Sequence, residues 1–159
     1  MRFVTPLLAL ALVGSAATAS AQNGSVPNLS GTWILQVDKS DFAGMQTPTS
    51  RTDVVDHQEP KLTIKRTVVA NGQENTTNLV YVIDSKPYKN MVGPTEITST
   101  LHWEGSTLVS VSLAPSTNGG EITITDRYEV SQDGKTLTQK RTFSIPGQEL
   151  TQTLVLVKQ

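Results

Sequence analysis

Cysteine is missing from all 159 residues. That excludes a disulfide framework and an acylated N-terminal cysteine, so stability has to rest on a packed core. Aromatic residues make up only 5% of the chain, and large rings therefore do not crowd the interior of a closed structure. Histidine occurs only at His57 and His102; the first falls at a turn and the second on the outward phase of its strand, which argues against a metal or haem site and predicts no cofactor. Neither charge dominates, with 13 basic against 14 acidic residues. No basic patch with interleaved aromatics occurs, which argues against nucleic acid or an anionic membrane as the main partner. A nucleophile elbow, a glycine-rich phosphate loop and a His-Glu-x-x-His pair are also lacking, and no catalytic residue is assigned.

What is present begins with Arg2, the apolar run Leu7–Val13 and the small-residue pattern Ala19-Ser20-Ala21. This is the layout of a signal peptide. We expect residues 1–21 to be removed between Ala21 and Gln22, residues 22–28 to form a flexible segment, and residues 29–159 to form one domain, periplasmic or secreted. The apolar run is shorter than the roughly 20 residues that span a bilayer, and no later stretch suits stable membrane insertion.

The remaining sequence alternates with period two almost throughout. Trp33, Leu35 and Val37 share one face of a first strand, and residues 39–50, broken by Gly44 and Pro48, read as a loop. Turn signals then recur at Gln58–Lys61, Asn71-Gly72, Asp84–Pro87, Glu104-Gly105, Asn118-Gly119-Gly120, Asp133-Gly134 and Pro146-Gly147. This spacing predicts an all-β antiparallel up-and-down meander of about ten strands.

The chain also repeats itself. Leu62–Asp84 and Leu137–Gln159, 75 residues apart (137 − 62 = 75), are identical at 12 of 23 positions without a gap. Both copies place an arginine on the apolar face, Arg66 and Arg141, and both are preceded by Thr-Asp, at Asp53 and Asp126. If Val130 pairs with Leu137, Tyr128 faces Gln139 and Asp126 faces Arg141. If His57 pairs with Leu62, Asp53 faces Arg66. A slip of one residue would turn every side chain over and destroy the agreement. Such pairs either fix register or leave the interior partly polar, with Arg66 or Arg141 also meeting a ligand carboxylate or carbonyl.

Leu29-Ser30-Gly31-Thr32-Trp33, followed by Lys39-Ser40-Asp41-Phe42, resembles the opening of the calycin superfamily, the lipocalins and fatty-acid-binding proteins, whose first strand carries Gly-x-Trp. Thr125-Asp126-Arg127-Tyr128 is similar to the second lipocalin motif, although here it lies within a strand. The helical lid of fatty-acid-binding proteins has no room in residues 39–50, and their C-terminal Arg-x-Tyr is missing. The chain looks most like a small exported lipocalin-like protein of bacteria. The resemblance implies a lipocalin-like barrel of eight to ten strands, and gives Arg141 the part of the arginine that packs over the first-strand tryptophan.

The inward set becomes Trp33, Leu35, Val37, Ile64, Leu79, Tyr81, Leu101, Trp103, Ile124, Tyr128, Phe143, Leu154 and Leu156. We expect a non-catalytic barrel that binds a small, largely apolar molecule, with Arg66, Tyr81, Trp103, Tyr128, Gln139 and Arg141 facing the ligand. Gly31, Trp33, Asp53 and Asp126 are the structural residues. The alternative is a filled barrel acting as a structural or interaction module, its protein partner not specified by the sequence. An enzyme ranks last, because no activated nucleophile or base is visible.

Overall fold

The computed structural model describes residues 26–116 and 119–159. The expected signal peptide, its cleavage point and Asn118 of one expected turn lie outside the described residues. Ten strands form one antiparallel sheet: β1 (Gly31–Leu35), β2 (Ser50–Gln58), β3 (Lys61–Ala70), β4 (Gln73–Val82), β5 (Tyr88–Val92), β6 (Thr95–Glu104), β7 (Thr107–Pro115), β8 (Glu121–Val130), β9 (Thr136–Ile145) and β10 (Gln148–Lys158). A single 3-10 turn, Val37–Lys39, follows β1 and takes up Val37, so the first strand is shorter than its alternation suggested.

The sheet order is β4-β3-β2-β1-β10-β9-β8-β7-β6-β5. Each strand pairs with its sequence neighbour except at one place, where β4 does not ladder with β5. β1 pairs with both β2 and β10, curling the meander back on itself. The barrel is therefore nearly closed, with one seam.

A side chain stitches that seam. Asn90 of β5 is buried; its Oδ1 accepts from the Val80 backbone N–H at 2.8 Å and its Nδ2 donates to the Val80 carbonyl at 3.1 Å. The amide thus copies the donor and acceptor of a peptide unit and satisfies both polar groups of an edge residue in β4.

Turn chemistry explains why the strands reverse where they do. Asn71 and Gly72, the two residues between β3 and β4, both have positive φ (52° and 74°), the conformation a tight hairpin requires. The reversal between β5 and β6, at Gly93-Pro94, was not among the expected turns.

The two arginine hairpins have the expected register, His57↔Leu62 with Asp53↔Arg66, and Val130↔Leu137 with Tyr128↔Gln139 and Asp126↔Arg141. One end of the barrel, holding the β2–β3 and β8–β9 turns, is filled. Trp33 has no exposed surface, and Leu62, Leu101, Leu108 and Leu156 are buried beside it, each contributing about 1.5–3 kcal/mol of apolar burial. Leu29 crosses this floor. Its carbonyl accepts from Trp33 Nε1 at 2.8 Å, and its N–H donates to His57 Nδ1 at 3.2 Å.

His57 is therefore a buried strand residue, not a turn residue. Trp33 is covered by the Lys158 ammonium, 5.2 Å from its ring, and not by Arg141 as the family resemblance implied. Lys158 lies directly across from Trp33 in the β1–β10 pairing, whereas Arg141 sits farther along β9. Gly31, at φ 132°, lies against the Lys158 side chain, which a Cβ at that position would strike.

Candidate functional site

The interior is organised by a belt of charge at mid-height. β2 contributes Arg51 and Asp53, which alternation places on the same inner face; β3 contributes Arg66, β8 Asp126 and β9 Arg141. Asp53 accepts two guanidinium forks at once. Arg51 donates through Nε at 3.0 Å and Nη2 at 2.6 Å, and Arg66 through Nε at 3.0 Å and Nη2 at 2.9 Å. Asp126 accepts one fork, from Arg141 Nε at 2.7 Å and Nη2 at 2.9 Å. Gln139 Nε2 also donates to Asp126 at 2.8 Å and to the Tyr128 hydroxyl at 3.3 Å. Gln139 Oε1 is buried with no hydrogen-bond partner.

These contacts set the protonation states. Burial alone pushes the Asp53 carboxyl up, but the Arg66 and Arg51 guanidiniums outweigh it and hold the group far below the usual carboxylate range. Asp126 moves the same way, burial being outweighed by Arg141 and the Gln139 amide. Burial pushes the Tyr81 phenol up to about 12, and it raises Tyr128 as well, aided by Asp126. Both tyrosines are neutral hydroxyls at physiological pH. With both carboxylates ionised, the belt carries three positive and two negative groups, 3 − 2 = +1.

The belt divides the interior into two chambers, each of about 290 Å³. The inner chamber lies mainly between β2–β4 and β6–β9. Its wall is apolar for the most part, including Leu29, Leu62, Leu79, Ile97, Leu101, Leu108, Ile124 and Leu137, with Tyr81, Tyr128, Ser110 and Ser112 as polar points. Asp53, Arg66, Asp126 and Arg141 form its charged border. The outer chamber lies under the loop between the 3-10 turn and β2, where Phe42, Gln46 and Pro48 join Arg51, Arg66, Arg141 and Gln152. Among the described residues no acidic side chain lines it.

Of the residues expected to face a ligand, Arg66, Tyr81, Tyr128 and Arg141 do line the inner chamber. Two do not. Gln139 has no exposed surface and lies behind Asp126 and Tyr128, where it orients the carboxylate. Trp103 shares the inner phase of β6 with Leu101 but lies beyond the chamber floor, next to the last residue of the strand. Its Nε1 donates to Glu59 at 2.7 Å and its ring lies 6.0 Å from that of His57. Phe143 is half-buried, with the Arg141 guanidinium 5.9 Å from its ring. Asp53 and Asp126 hold the belt together and also border the chamber.

Sequence reading missed Arg51, Asn90 and the second chamber. Arg51 carried a signal, since it alternates with Asp53, Val55 and His57 on one face of β2. Among the described residues no cluster of three His, Cys, Asp or Glu side chains is placed to hold a metal ion.

No protein-family model matches this sequence, and comparison with curated proteins finds no match either. Solved structures do resemble it. A secretory abundant heat soluble protein of Ramazzottius varieornatus aligns with a TM-score of 0.60 at 14% identity, covering 82% of this chain and 95% of that one. Zebrafish ileal bile acid-binding protein, complexed with cholic acid, aligns at 0.59 and 11% identity over 82% and 98%. Lipid binding protein 8 of Caenorhabditis elegans aligns at 0.56 and 13% identity over 82% and 94%. The fold is thus the calycin-type barrel that the Gly31-Thr32-Trp33 motif implied.

Proposed function

We propose that this chain is an exported, non-catalytic barrel that carries a small, largely apolar molecule in its inner chamber. The observation that carries the reading is the chamber itself, about 290 Å³ of space bounded by leucine and isoleucine with a few hydroxyls. That size and composition suit a ligand of modest size, held by apolar burial and oriented by isolated polar points. Tyr81 and Tyr128 remain neutral donors, and a carbonyl or carboxylate on the ligand would meet them or the Arg66 and Arg141 border. Both carboxylates are engaged by arginine, which favours binding over acid–base catalysis. Two of the structural neighbours point the same way, being a bile-acid-binding and a lipid-binding protein by name. The arrangement Arg2, Leu7–Val13, Ala19-Ser20-Ala21 supports export.

The test uses Nile red, a neutral apolar dye, with protein stripped by organic extraction and refolded. We expect enhanced, saturable fluorescence that is lost in Ala114→Phe, which fills the chamber from its wall without touching the belt. A refolded wild type that neither binds the dye nor releases an apolar molecule into the extract would replace this reading with that of a filled interaction module.

A further inference from the structure

The sides of the belt differ in charge. Asp53 and Asp126 border the inner chamber, where Arg66 and Arg141 balance them. The outer chamber is bordered by the same two arginines and by Arg51, with no acid among the described residues. In all three guanidiniums the hydrogen bonds run through Nε and Nη2, and Nη1 has no protein acceptor among the described residues.

Arg51 and Gln152 are each more than nine-tenths buried. Burial lowers the Arg51 pKa, with Arg66 adding to it and only Asp53 opposing. The cluster thus contains one positive charge that the protein does not neutralise, in a place where leaving a charge unpaired is costly.

We propose that the outer chamber is a separate site for a small organic anion, a carboxylate in chemistry. The anion accepts from the Nη1 groups of Arg51, Arg66 and Arg141, and its apolar part rests against Phe42, Pro48 and Leu154. The site is walled by the loop after the 3-10 turn and is independent of whether the inner chamber holds an apolar ligand. One surplus charge is neutralised by one anion, which gives the two chambers a definite relation. A neutral inner ligand leaves anion binding unchanged, whereas an inner ligand that brings its own carboxylate to Arg66 and Arg141 competes with it.

The probes are benzoate and its neutral isostere benzamide, titrated calorimetrically into the stripped protein at low ionic strength, where charge recognition is least screened. We expect benzoate to bind and benzamide to bind at least about tenfold more weakly, the scale of a hydrogen-bonded charge. Arg51→Met removes the surplus charge and is expected to abolish benzoate binding while Nile red still binds. Should that variant fail to fold, Gln46→Glu sets an acid at the exposed rim of the same chamber and is expected to weaken benzoate at least about tenfold.

Dodecanoate distinguishes a free anion from the head of an amphiphile. If it binds with dependence on Arg51 while benzoate does not bind at all, the separate site is overturned and the arginines belong to the head of the inner ligand. Equal affinity for benzoate and benzamide, or benzoate binding indifferent to Gln46→Glu, would also overturn it. Loss of Nile red binding alone leaves the anion site standing, so the two readings fail separately.

Discussion

Asp53 is the most heavily used side chain among the described residues, because one carboxylate satisfies two guanidinium forks away from water. Replacing it by asparagine keeps the shape and leaves two buried cations facing an amide. Breaking a buried pair in this way costs about 3–5 kcal/mol, to be read as a drop in unfolding free energy in urea. The same residue sets the response to acid. A carboxyl whose pKa is lower folded than unfolded adds stability that is complete above the unfolded value and disappears as pH falls toward the folded one. Asp53 and Asp126 are both shifted down. The wild type therefore keeps its stability to about pH 5 and loses it progressively below that, while Asp53→Asn starts lower and falls less. Equal acid-induced losses in the two proteins would contradict the role given to Asp53.

At the scale of strands, the seam depends on a residue that reads in the sequence as an ordinary polar position between Lys89 and Met91. Asn90→Ala removes both bonds to Val80, and each hydrogen bond of this kind contributes about 0.5–1.5 kcal/mol. We expect a loss of that order per bond and faster amide hydrogen exchange at Val80; unchanged exchange would show that β4 holds its edge without the stitch.

The same scale shows what sequence can and cannot convey. Face was legible from period-two alternation, and register was legible because two copies with different turns demanded the same Asp–Arg pairing. Height along the barrel was not, since alternation states which side a residue faces and says nothing of its depth. Trp103 therefore has the expected phase but lies beyond the chamber floor, whereas Gln139 is level with the lining residues Leu137 and Arg141 and is screened from the chamber by Asp126 and Tyr128. Arg51 went unread for a related reason, because an arginine opening a strand after a polar loop usually lies in water, and here the loop covers it. The two chambers depend on where three long side chains cross the interior, a tertiary outcome that no local pattern encodes.

For the whole molecule, the internal repeat has a kinetic consequence. The pairing of Asp53 with Arg66 is chemically the same as that of Asp126 with Arg141, so a collapsing chain gains as much from joining β2 to β9 or β8 to β3 as from its native hairpins. Only locality separates right from wrong: residues 59–60 link β2 to β3 and residues 131–135 link β8 to β9, while residues 59–135 separate β2 from β9 and residues 71–120 separate β3 from β8. Closing a long loop costs more entropy and takes longer, so the short turns act as the proofreading step. Lengthening the 59–60 link with a flexible ten-residue glycine-serine insert is expected to slow refolding, measured by stopped-flow tryptophan fluorescence, and to add a slow phase from exchanged hairpins that must dissolve first. A refolding trace indistinguishable from that of the wild type would mean that something other than nearness tells the twin hairpins apart.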